Sequence, residues 1–109
     1  MNDPHDFTHR FLPAPHGALD TAPTMVLLHG TGGDENDLLD LGARVAPDCH
    51  RLSPRGKILE NGMARFFRRL GDGVFDEVDL QRRTYELADF LHASSRHYGF
   101  SPDKLTALG

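Results

Sequence analysis

Apolar and polar positions alternate first at Phe7-Thr8-His9-Arg10-Phe11-Leu12. That alternation puts Phe7, His9 and Phe11 on one side and predicts a half-buried edge strand. Pro13, Pro15, Gly17 and Pro23 then punctuate a loop. Met25-Val26-Leu27-Leu28 is an unbroken run of four apolar residues, too short for an ordinary helix. With Thr24 before it and His29 after it, the run predicts a strand buried on both faces, as in a parallel sheet. From about residue 36 to 46 the pattern becomes helical, with Leu38, Leu41 or Gly42, and Val45 on one face. Asp34, Glu35 and Asp37 suit the positive end of that helix, and Pro47 marks its stop. Residues 49–53 read as another strand. A helix is predicted over 77–98, where Leu80, Thr84, Leu87, Leu91, Ser95 and Tyr98 form one core-facing stripe. Asp76 is its expected N-cap, and Gly99, Phe100 and Pro102 supply its stop. Leu105-Thr106-Ala107-Leu108 is a last short apolar strand, followed by Gly109.

The order is strand, strand, helix, strand, helix, strand. It predicts an α/β fold with a mostly parallel sheet and crossover helices. The long connection over 54–75 interrupts that rhythm. Residues 51–69 hold Arg51, Arg55, Lys57, Arg65, Arg68 and Arg69, half of the chain's 12 basic residues, against one acid, Glu60. Residues 62–70 are read as a short helix, with Met63, Phe66, Phe67 and Leu70 on one face and the arginines on the other. Two readings stay open for this stretch. One is a flap whose aromatics touch an acyl or aromatic group while an arginine steers an anion. The other is a packed surface helix with a solvated basic face.

The composition narrows the classes. The 109 residues suffice for one small domain, 1–109, with a frayed tail at 1–6. Charged residues are 26% and apolar ones 39%, ordinary for a soluble globular chain. A net charge of -4 argues against a nucleic-acid binder. No apolar run approaches the roughly 18 residues of a membrane span. The acidic start Met1-Asn2-Asp3-Pro4-His5-Asp6 does not read as a secretory signal. The lone Cys49 is expected to be a buried structural thiol in a strand, in a cytoplasmic protein.

The chemistry concentrates at His29-Gly30-Thr31-Gly32-Gly33, a glycine-rich turn between a buried strand and a helix. Such a turn presents backbone N–H groups to an anion. A phosphate is disfavoured. The turn has no lysine of the Walker type, the glycine spacing is not G-x-G-x-x-G, and Asp34, Glu35 and Asp37 would repel it. A transient oxyanion of acyl transfer needs only backbone donors. His29 directly precedes the turn. It is read as orienting the loop by hydrogen bonding, with general-base catalysis as the lesser reading. His5, His9 and His16 lie in a tail, an edge strand and a loop, and His92 and His97 do not share a helix face. No metal and no cofactor is expected.

The segment Leu27-Leu28-His29-Gly30-Thr31-Gly32-Gly33-Asp34-Glu35-Asn36-Asp37-Leu38 resembles the oxyanion-hole segment of α/β-hydrolases. It is most similar to the small carboxylesterase/phospholipase group, which includes hydrolases related to dienelactone hydrolase. Leu52-Ser53-Pro54-Arg55-Gly56, Asn61-Gly62-Met63-Ala64-Arg65-Phe66-Phe67-Arg68-Arg69 and the helix over 77–98 resemble that group in the same order. The resemblance implies that Thr31 donates a backbone N–H to the oxyanion, while His29, Gly30 and Gly32 set the loop. It also implies that Arg55, Phe66 and Phe67 line the substrate site, and that the substrate is a small ester.

The serine of that family stands in a G-x-S-x-G elbow after a strand, with its acid and histidine later. Residues 105–108 are similar to the strand leading to the elbow and Gly109 to its first glycine, but no G-x-S-x-G occurs. Gly99-Phe100-Ser101-Pro102 follows a helix rather than a strand, so Ser101 is read as a turn residue. The expectation is a single incomplete α/β-hydrolase domain, the N-terminal part of a serine hydrolase, inactive alone. The alternative is an interaction fragment that pairs through the edge of strand 105–108 with a second copy or a complementing chain.

Overall fold

A computed structural model describes residues 7–15, 21–30, 32–60, 62–66, 69–71, 74–75 and 77–109. The expected tail at 1–6, Thr31, Phe67 and the expected cap Asp76 lie outside the described residues.

Strands β1 (His9–Leu12), β2 (Thr24–Leu27), β3 (His50–Pro54) and β8 (Leu105–Leu108) form one sheet in the order β1-β3-β2-β8. β2 runs parallel to both neighbours, pairing Val26 with Leu52 and with Ala107. β1 runs antiparallel at the edge, with Phe11 opposite Leu52. The strand β2 therefore occupies the inner position that its apolar run predicts: Thr24 to Leu27 are all buried, and Leu28, the last of the run, is half-buried. The crossovers after β2 and β3 are helices α1 (Leu39–Val45) and α2 (Glu77–Tyr98).

Successive side chains on a strand point to opposite faces. On one face Arg51 donates to the Leu39 carbonyl (2.8 Å), and a Cβ at Gly42 of α1 would stand 3.0 Å from Leu27. On the other face Leu52 joins Phe7, Phe90 and Phe100 in the core cluster, with Phe11, Leu87, Leu91 and Tyr98 packed against it. The two helices thus cover opposite faces.

The bounds of α2 and β8 match the sequence pattern, but three readings need correction. First, α1 is shorter than 36–46. Gly42 is its buried residue, while Leu41 and Val45 are exposed. Second, the buried face of α2 is wider than the expected stripe. Leu87, Leu91 and Tyr98 pack on the core and Ser95 is buried as expected, but Thr84 is exposed, and Phe90 and Ser94 are among the most buried side chains. The aromatic rings of Phe7 and of His9 in β1 explain this, with centroids 4.8 Å and 5.1 Å from that of Phe90. Third, residues 62–70 are not a helix. β4 (Ile58–Glu60) and β5 (Met63–Arg65) form a hairpin, followed by β6 (Arg69–Gly71) and β7 (Val74–Phe75). The two residues joining β4 to β5 are Asn and Gly, the strongest short hairpin signal, and Gly62 takes φ +77°. The faces also invert: Met63 is exposed and Arg65 is buried.

Cys49 is a free, half-buried thiol that precedes β3 rather than lying in it. Burial, and then the neighbouring Asp48 carboxylate, push its pKa up, which disfavours the thiolate. Among the described residues, no helix is long and apolar enough to cross a membrane.

Candidate active site

β2 ends at Leu27, and the chain leaves its carboxyl end through Leu28, His29 and Gly30. Open parallel sheets present ligands at this end of their strands. Leu28 continues the ladder by donating its N–H to the Leu108 carbonyl (2.8 Å). Gly109 follows β8 so closely that a Cβ there would stand 3.1 Å from the Leu28 carbonyl oxygen. Two strand exits therefore converge, and a side chain at position 109 would crowd them.

His29 is 6% exposed and has both ring nitrogens engaged. Nδ1 lies 2.7 Å from the Gly30 carbonyl, and the Gly56 N–H donates to Nε2 at 3.0 Å. A carbonyl only accepts and an N–H only donates, so this arrangement is met by a neutral imidazole protonated on Nδ1. The ring also packs against Phe66, with centroids 4.7 Å apart. The Gly30 carbonyl accepts a second bond, from the Gly33 N–H at 3.0 Å. Gly32 adopts φ +84°, a conformation that favours glycine, and its N–H donates to the Ala64 carbonyl of β5 (3.0 Å). The turn thus leans on the β4–β5 hairpin as well as on its own strand.

Just past the glycines, Glu35 is also 6% exposed. Arg55 grips it with a two-point fork, Nε to Oε1 at 2.7 Å and Nη2 to Oε2 at 2.8 Å. These two bonds hold the Glu35 carboxyl below its ordinary pKa, while burial pulls the other way. The Arg55 side chain remains 45% exposed.

A cavity of about 370 Å³ opens beside the turn, lined by Leu28, His29, Phe66 and Gly109 on one side and by Leu80, Thr84 and Leu87 of α2 on the other. The charges at its rim are already paired. Arg83 reaches Glu86 at 2.6 Å and Asp79 at 3.2 Å, and the Lys57 ammonium stands 3.8 Å from Glu86 and 4.4 Å from the centre of the Phe7 ring. The cavity therefore offers chiefly apolar surface to a ligand.

Of the residues singled out in the sequence, His29, Gly30, Gly32 and Phe66 come together here, and Arg55 joins them through Glu35. Thr31 and Phe67 lie outside the described residues. Sequence reasoning missed Glu35, the Gly56 N–H and the α2 wall. A glutamate in a run of acids carries no mark of burial, and a long-range bond from a side chain to a backbone N–H has no spacing rule. Two other histidines serve packing. His9 bonds the Phe7 carbonyl and the Tyr98 hydroxyl, and His50 accepts the Ala14 N–H.

No family model matches the chain. Individual relatives do. The Bacillus subtilis (strain 168) protein MhqD, whose name assigns it to the hydrolases, is 53% identical over 85 residues, 78% of this chain and 42% of its own. The crystal structure of a Bacillus cereus carboxylesterase superposes with a TM-score of 0.86 at 46% identity, covering 93% of this chain and 46% of that one. A carboxylesterase from Mesorhizobium loti gives 0.83 at 30% identity, covering 94% and 48%. The fold is therefore that of the α/β-hydrolases. In sequence and architecture the chain is a relative of those described as carboxylesterases, and it spans a little under half of their length.

Proposed function

We propose that the chain supplies the oxyanion side of a carboxylesterase-type serine hydrolase acting on a small ester or related acyl compound. The observation that carries this reading is the pinned turn. A buried neutral His29, bonded on both nitrogens, holds a glycine turn at the exit of the central strand beside an apolar cavity. In this reading the Thr31 N–H stabilises the oxyanion, with His29, Gly30 and Gly32 shaping the loop. Phe66, from the wall of the cavity, faces the acyl or alcohol group, and the family resemblance adds Phe67 and Arg55 to the substrate-binding residues. A serine from a G-x-S-x-G elbow attacks the carbonyl carbon, and the alcohol leaves with a proton. Water then hydrolyses the acyl-enzyme to release the acid and regenerate the serine. That motif is not among these 109 residues, so they are inactive by themselves. The lone Cys49 suits a reducing, cytoplasmic setting.

The test is a chimera that joins these residues to the unmatched part of the Bacillus cereus carboxylesterase. Hydrolysis of p-nitrophenyl acetate is expected from the chimera and not from the 109 residues alone. Thr31→Pro, which lacks the N–H, should lower kcat about 10²- to 10³-fold. A chimera whose esterase activity is indifferent to Thr31→Pro overturns the reading.

A further inference from the structure

The Glu35–Arg55 pair and the His29–Gly56 bond join the same two segments. Arg55 and Gly56 are consecutive, and so the two ties close a ring: His29, the glycine turn, Glu35, Arg55, Gly56 and back to His29. Gly30, Gly32 and Gly33 lie inside that ring. Glycine has little conformational preference of its own, so the shape of the turn is set by what holds its ends. One end is held by the buried imidazole. The other is held by a buried carboxylate whose partner reaches it with two parallel bonds, a geometry that fixes direction as well as distance.

We propose that Glu35 and Arg55 are positioning residues for the glycine turn, with Arg55 acting on the site through Glu35. This rests on the oxyanion reading for its catalytic consequence but not for its structural one. Arg55 does not need to meet the substrate in this assignment. Its two engaged donors face Glu35, and its backbone sits beside the N–H that fixes His29. A lysine at position 55 keeps the charge but offers a point donor in place of the fork. The conservative change should therefore loosen the turn.

The experiment uses the 109-residue protein and three variants, Glu35→Gln, Arg55→Lys and, as a control away from the cavity, Arg96→Gln in the exposed last turn of α2. Amide exchange is read at Gly32, Gly33 and Gly56, and the two imidazole nitrogens of His29 by ¹⁵N NMR. Arg55→Lys and Glu35→Gln should each speed exchange at Gly33 and Gly56 by about tenfold or more and shift the His29 Nε2 resonance. Arg96→Gln should do neither. A fall in melting temperature with the Gly33, Gly56 and His29 signals unchanged overturns the proposal and leaves a merely stabilising ion pair. If Glu35→Gln fails to fold, Arg55→Lys decides, because that side chain is half-exposed. In the chimera, Arg55→Lys should lower kcat while leaving KM within about twofold. An inactive chimera with altered exchange would sink the esterase reading and leave the positioning role standing.

Discussion

Glu35 is a carboxylate that is 6% exposed, and the physical reason it stays charged is the Arg55 fork. Its folded pKa is depressed below the ordinary value of about 4.3. The sign follows from linkage. The unfolded chain takes up the proton more readily, so the pair's contribution is fully present above the unfolded pKa. It is lost as pH falls through the folded one. The expected outcome is that wild type exceeds Glu35→Gln in unfolding free energy at neutral pH, with the gap closing between about pH 5 and pH 3. Urea denaturation across that range measures it. A gap that stays constant with pH would mean that the carboxylate's charge contributes nothing. Half of the Arg55 side chain faces solvent, so added salt should also narrow the gap at neutral pH.

At the scale of elements, the segment leaving β3 is tightly constrained by its neighbours. A Cβ built at Gly56 would overlap the backbone carbonyl group of Arg65 in β5, which cannot swing aside as a side chain can. The same glycine donates its N–H to His29. Gly56→Ala should therefore destabilise the fold by about 2 to 4 kcal/mol, against the few tenths expected at an open position. Gly62 supplies a control for space alone, because a Cβ there meets nothing within 4 Å, although its φ of +77° still strains an alanine. If Gly56→Ala costs no more than Gly62→Ala, the close approach is not what selects glycine.

These elements also show what a sequence can reveal. α2 and β8 were readable because a 22-residue helical period and a short apolar run are local signals, and the cap at Gly99 is one as well. The block at β2 told its own burial. The stretch 62–70 misled because its apolar spacing also fits a helix, and the Asn-Gly step that sets a hairpin outweighs that spacing. The place of His29 directly before the turn pointed to hydrogen bonding there, and the ring bonds the neighbouring Gly30 carbonyl and the Gly56 N–H. Glu35 and the Gly56 donor were not legible, since burial and pairing between segments some 20 residues apart are products of the folded chain.

At the scale of the whole molecule, the sheet order β1-β3-β2-β8 leaves β8 paired on one side by β2 and, among the described residues, by no strand on the other. The ladder shows which backbone groups face outward. Thr24 and Leu28 donate to the carbonyls of Lys104 and Leu108, so the even positions of β8 bond inward, and in a parallel ladder Leu105 and Ala107 turn their N–H and C=O groups away from β2. Thr106 and Ala107 are exposed on the two faces, so among the described residues the edge is uncovered as well as unpaired. Such an edge pairs with another strand unless charge or proline blocks it. The 109-residue protein should therefore sediment with a concentration-dependent mass. Ala107→Pro should abolish that dependence at a cost below about 1 kcal/mol, because it removes an outward donor and spares the bonds to β2. Thr106→Pro, one residue away, should instead cost several-fold more, since its N–H belongs to the inner ladder. Equal sedimentation of wild type and Ala107→Pro would locate any self-association elsewhere, and equal stability of the two proline variants would refute the assigned direction of the edge.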